Sequence, residues 1–151
     1  IEPKGVEKVE DHLKRVTASG AKVLTGGERH ELGGRFFQPT VTLAGDDEMF
    51  RHEETFGPLV PVFPFETEDE VVTKANDSEF GLASYLFTKD LNRAVRVARR
   101  IEAGMVGVNT GLTSNAIAPF GGVKSSGYGR EGSIHGIDEY VEIQAVTLDL
   151  K

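Results

Sequence analysis

A glycine run near the end of this 151-residue chain, GYGREG at 127–132, has the spacing G-x-G-x-x-G through Gly127, Gly129 and Gly132. That spacing binds a pyrophosphate when a buried strand runs into it and a helix opens out of it, so that amide hydrogens and the helix dipole converge on the phosphates. The residues before it, APFGGVKSS, are not those of a central strand, and those after it, SIHGIDEY, allow at most two helical turns before Gly136. The spacing is therefore read as accidental. No cysteine is present, which excludes disulfides, thiolate metal ligands and a thiol nucleophile within these residues. His12, His30, His52 and His135 stand apart, with no i,i+4 or short-loop partner of a zinc type, so no metal site is expected. Arg93, Arg96, Arg99 and Arg100 could face an anion, but on an exposed helix face such a cluster is ordinarily solvated, and it is read that way.

The whole-chain balance narrows the classes further. A net charge of -7 makes phosphate backbones electrostatically unwelcome, so no nucleic-acid partner is expected. No apolar run approaches the roughly 18 residues that span a bilayer, and the opening IEPKGVEKVEDHLKR reads as a charged helix, not a signal peptide. A cytoplasmic protein with no membrane partner is the expectation.

The elements that must position any site follow from periodicity. Pro3 suits a first helical turn, and Val6, Val9, Leu13 and Val16 lay one apolar stripe along a helix that Gly20 stops. AKVLTGG reads as a short strand. RFFQPTVTL reads as another, and Pro39 removes a ladder donor, which predicts an edge or bulged strand. From Leu59 the chain alternates: strand LVPVFPF, a helix opened by the capping box Thr67 and Glu70, strand LASYLF, a helix over Leu91 to Ile101 preceded by Thr88 and Asp90, both good caps, and strand MVGVN. Strands alternating with helices predict parallel pairing through crossovers and an α/β class. Past Asn109 the period is lost in a long glycine-rich loop; Ile117, Pro119 and Phe120 are of buried type and predict that it is ordered. The closing EYVEIQAVTLDL alternates like a strand, and with no sequential partner it is expected to pair with another subunit.

Two strings, EETFGPL at 53–59 and PFGGVKSSGYGREG at 119–132, with the strand-helix alternation between them, resemble the aldehyde dehydrogenase superfamily. The resemblance covers essentially the whole chain, and the tract NTGLTSNAIAPFGGVKSSGYGREGSIHGIDEYVEI looks most like succinate-semialdehyde dehydrogenases. It implies the C-terminal part of a parallel-sheet catalytic domain over 1–132, then a short helix and an oligomerisation strand over 133–151, hence a homo-oligomer. It implies oxidation of a small aldehyde acid with NAD or NADP. Glu54 matches the position that accepts hydrogen bonds from the nicotinamide ribose hydroxyls, a task suited to an acceptor-only carboxylate, and Phe56 the position packed beside that ribose. Ser114 matches the hydroxyl that binds the substrate's distal carboxylate, and Phe120 an aromatic lining the aldehyde tunnel. Read without the resemblance, EETFGP is a strand entry with surface acids and Thr113, Ser114 and Asn115 a plain polar turn. The family's nucleophilic cysteine and general-base glutamate have no counterpart here, so no catalytic residue is assigned and this chain alone is expected to be inactive. A sibling acting on another aldehyde such as glutarate semialdehyde, or a non-catalytic binding or assembly module of the same fold, remains as an alternative.

Overall fold

The computed structural model of the chain describes residues 2–43 and 48–149. They form two compact units, residues 1–73 and 74–151.

The first unit is a helix packed on a small sheet. Helix α1 (Pro3–Ala18) begins with proline in its first turn, where a missing N–H costs nothing, and buries Val6, Val9, His12, Leu13 and Val16. It ends as Ser19 N and Gly20 N donate to the carbonyls of Arg15 and Thr17, with Gly20 at φ 98°. Strands β1 (Lys22–Thr25), β2 (Thr40–Leu43) and β3 (Leu59–Val62) follow in that spatial order, β1 antiparallel and β3 parallel to β2, with the single helical turn α2 (Met49–His52) between β2 and β3. Val9, Leu13, Val16 and Leu59 form the core, flanked by Val23, Phe37, Phe50 and Phe63.

The sequence places one proline correctly but reads its strand wrongly. β2 starts at Thr40, just after Pro39, and is paired on both sides, so it is central and not an edge. The register shift lies opposite it, between Val23 and Thr25 of β1. Pro61, which does sit inside a strand, is in β3, whose other edge is unpaired among the described residues, where a missing donor is tolerated.

Helix α3 (Glu68–Asn76) opens as its capping box predicts, with a small variation. Thr67 Oγ1 accepts from Glu70 N at 3.1 Å, but the returning Glu70 carboxylate takes the Glu66 N–H at 2.8 Å, one residue earlier than the usual partner. In the second unit β4 (Ala83–Leu86) and β5 (Met105–Val108) pair in parallel through helix α4 (Leu91–Ala98), whose Asp90 carboxylate accepts from Asn92 N and Arg93 N. α4 stops at Ala98, short of the expected Ile101, because Arg100 N and Ile101 N both turn onto the Val97 carbonyl and Asn76 Nδ2 donates to Arg100 O. Parallel pairing is as expected, but β3 and β4 belong to different sheets: alternation along the chain fixes the kind of connection, not which strands pair.

One further expectation is corrected. Ile117, Pro119 and Phe120 are exposed, Ile117 to 84%. The loop is nevertheless fixed, by backbone bonds and not by an apolar anchor: Phe120 and Glu131 exchange both of theirs, and Ser133 N donates to Ala116 O. The closing segment forms a 3-10 turn at His135–Tyr140 and then no ladder over 141–149, since a strand exists only against a partner edge; Leu150, at its end, lies outside the described residues.

The start of β5 touches the PFGG backbone so closely that a Cβ on Gly104 would collide with Gly121 O. Gly104→Ala should destabilise the second unit by about 1–3 kcal/mol, the usual penalty for overpacking, read as a lower urea midpoint.

Candidate functional site

The segment 53–58 is positioned by α1. Glu53 N donates to Met49 O at the end of α2, and Thr40 N takes the Pro58 carbonyl at 2.8 Å, so both ends are tied to regular structure. Between them the side chains alternate. Glu53, Thr55 and Gly57 are half-buried, and Glu54 and Phe56 are exposed, Phe56 to 81%.

Each inward residue meets a particular residue of α1. Arg15 clasps the Glu53 carboxylate with both terminal nitrogens, Nη1 to Oε2 at 3.0 Å and Nη2 to Oε1 at 2.7 Å. His12, 1% exposed, places Nε2 3.3 Å from Glu53 Oε2 and Nδ1 2.6 Å from Thr55 Oγ1, with the Phe50 ring edge-on to its imidazole. A carboxylate only accepts, so His12 Nε2 carries the hydrogen that faces Glu53. Gly57 lies so near Val9 that any Cβ there would collide with Val9 Cγ2. The Arg15 guanidinium holds Glu53 down to a pKa of about 2 from the ordinary 4.5.

Glu54 and Phe56 thus share one outward face two residues apart. Phe56 also borders a cavity of about 150 Å³ with Val6, Val9, Arg35, Phe37 and Pro58. An exposed acceptor-only carboxylate beside an exposed phenyl can accept hydrogen bonds from a hydroxylated ligand and pack against its flat side. For the pyrophosphate, GYGREG is unsuitable. Gly127, Gly129 and Gly132 have positive φ, but the run follows a 3-10 turn at Lys124–Ser126 and leads to another at His135–Tyr140, with no strand entering and no α-helix leaving.

Ser114 and Phe120 lie in the second unit, in the loop after β5. Ser114 is exposed; Phe120, 38% exposed, lines a cavity of about 520 Å³ with Tyr128, Arg130, Glu131, Glu139 and Tyr140, and Ser114 does not. The loop's backbone is stitched to the start of β4: Gly81 O accepts from both Gly104 N and Val123 N, and Gly81 N donates to Ser126 Oγ. Lys124, at φ 56°, donates from Nζ to the carbonyls of Asn76 and Ser78 and pairs with Glu102 at 2.7 Å. Arg130 Nη1 donates to the carbonyls of Gly122 and Gly129. Sequence reasoning missed all of these supports. A signal existed for His12, a polar residue three after Val9 and four before Val16 on the apolar stripe; none existed for the bonds from Lys124 and Arg130 to backbone carbonyls.

The model of the aldehyde dehydrogenase family matches residues 1–146, so the chain belongs to that family. It is 53% identical over 149 residues to the glutarate-semialdehyde dehydrogenase of Pseudomonas aeruginosa, covering 98% of this chain and 31% of the relative. It is 50% identical over 151 residues to the succinate-semialdehyde dehydrogenase (NADP(+)) GabD of Escherichia coli strain K12, with 99% and 31% covered. Its fold matches the NAD+ complex structure of aldehyde dehydrogenase from Bacillus cereus with a TM-score of 0.91 at 38% identity, covering 100% of this chain and 31% of that one. The chain thus spans about a third of the length of these relatives. No helix among the described residues is long and apolar enough to cross a membrane.

The depressed Glu53 pKa makes a pH prediction. Stability from the Arg15–Glu53 pair is fully present above pH 4.5 and is lost as pH falls through about 2. The gap in melting temperature between wild type and Arg15→Met should therefore be constant at neutral pH and close between pH 4.5 and about 2.

Proposed function

We propose that this chain is the C-terminal portion of an NAD- or NADP-dependent dehydrogenase that oxidises succinic semialdehyde to succinate. Family membership supports the reaction class. The observation that carries the site is the outward presentation of Glu54 and Phe56 from a segment pinned on its other face. In this reading Glu54 accepts hydrogen bonds from the nicotinamide ribose and Phe56 packs beside it, while the bound dinucleotide supplies a hydride acceptor. Ser114 donates to the distal carboxylate of the substrate and Phe120 lines the aldehyde's approach. Residues 1–132 belong to the catalytic domain, and 133–151 carry a tail whose alternating apolar residues complete a sheet edge of a second subunit, making a homo-oligomer. With no cysteine in the chain, the nucleophile comes from the rest of the polypeptide, and the chain alone is inactive.

A second reading keeps the chemistry and changes the substrate to glutarate semialdehyde. It is favoured by the 53% identity to an enzyme of that name. Both substrates end in a carboxylate, so Ser114 serves either.

Three measurements test the proposal. Reduced-nicotinamide absorbance should not rise when this chain is mixed with succinic semialdehyde and NAD or NADP; clear turnover would refute the need for an external cysteine. In the full-length polypeptide, Glu54→Gln should slow hydride transfer or weaken productive cofactor binding, and unchanged kinetics with both dinucleotides would defeat its assigned role. Ser114→Ala should raise KM for acid-bearing aldehydes by about tenfold, one lost hydrogen bond to a charged group, and leave neutral aldehydes unaffected; equal effects on both would remove Ser114 from substrate recognition.

A further inference from the structure

We infer that His12, Arg15 and Glu53 form a clamp that fixes the aim of Glu54 and Phe56, which makes His12 and Arg15 positioning residues for the dinucleotide. This rests on the reading of Glu54 given above and deepens it.

Three observations carry the inference. The first is where the clamp grips. His12 engages Glu53 and Thr55, the residues immediately before and after Glu54, so both flanking peptides are held and the Cα–Cβ direction of Glu54 is held with them. The second is the cost of the imidazole. His12 is 1% exposed among Val9, Leu13 and Val16, on a stripe where an aliphatic side chain would pack without desolvating two ring nitrogens. A polar group kept there with both nitrogens engaged specifies position, where an apolar residue would contribute only cohesion. The third is redundancy. The Glu53 carboxylate is met by two Arg15 nitrogens and by the His12 Nε2–H, and the bidentate Arg15 geometry allows one orientation of the carboxylate plane. Among the described residues nothing bonds to the Glu54 carboxylate, which leaves its oxygens for a ligand while the side chains on either side of it are held.

Plain structural stapling would also involve these contacts, so the test must separate aim from stability. In the full-length polypeptide, His12→Leu and Arg15→Met should each raise KM for the dinucleotide about tenfold, the scale of a sub-ångström misplacement, with KM for the aldehyde unchanged. His12→Gln, whose amide can still reach Thr55, should recover part of the loss. Placed on Glu54→Gln, His12→Leu should cost less than it does in the wild type, because of the two groups it aims only Phe56 remains. Deuterium uptake by residues 53–57 should rise in His12→Leu and Arg15→Met while that of α4 stays constant. Penalties that add in the double variant, or an unchanged cofactor KM in folded variants, would overturn the clamp's role. If His12→Leu fails to fold, Arg15→Met, on the exposed side of α1, carries the same test. A silent Glu54→Gln would remove the cofactor reading and this inference together, whereas a damaging Glu54→Gln with silent His12→Leu and Arg15→Met would remove the inference alone.

Discussion

An extended segment laid against a helix must send alternate side chains to opposite sides, and residues 53–57 depend on that constraint. Three inward positions are occupied by residues that α1 satisfies: a carboxylate for Arg15, a hydroxyl for His12 and a glycine for Val9. Once these are seated, the two outward positions are determined. The same helix that forms the core with Val9, Leu13 and Val16 thereby sets the geometry of the exposed pair, and burial and presentation become one interaction. Shifting the segment by a single residue would bury Glu54 and Phe56 and leave Arg15 and His12 facing the wrong partners.

The second unit solves a different problem by different means. A loop of more than twenty residues has to hold one course with few apolar side chains turned inward, since Leu112, Ile117 and Tyr128 are all exposed. Backbone polar groups supply the order. Gly81, Gly104, Gly121 and Gly122 let main chains approach to hydrogen-bonding range, and Lys124 and Arg130 provide donors for the carbonyls that remain. Glycine is used here for proximity: where Gly104 faces Gly121, φ is ordinary and only the missing Cβ counts.

Much of this was legible in the residues, and the failures share a cause. The stripe of α1, the caps of α3 and α4 and the parallel pairing of β4 with β5 follow from local period and capping chemistry, which a sequence displays directly. The position of β2 in the middle of its sheet, and the separation of β3 from β4, depend on which edges meet, which no local pattern encodes. Glu54 and Phe56 came from resemblance to a family; the residues alone read better as surface acids at a strand entry. The His12 network was hidden because its members lie about forty positions apart, and a contact over that span becomes visible only once α1 and the 53–58 segment are placed together.

The use made of positive charge bears on substrate recognition. Arg15 is committed to Glu53, Arg29 to Glu10, Lys124 to Glu102 and two carbonyls, and Arg130 to the carbonyls of Gly122 and Gly129. Each of these cations has a structural duty, and in a chain of net charge -7 the surrounding field does not favour an anion. Under the proposed reading Ser114 faces the substrate carboxylate as a neutral donor. A hydroxyl orients a carboxylate but supplies no opposite charge, so it contributes direction more than affinity. In that reading the compensating charge for an acid-bearing aldehyde comes from the remaining two-thirds of a polypeptide as long as the relatives, the same part that supplies the cysteine. Recognition would thus be divided, with this chain providing the ribose contact and the direction of the substrate's tail, and the rest providing the charge and the nucleophile.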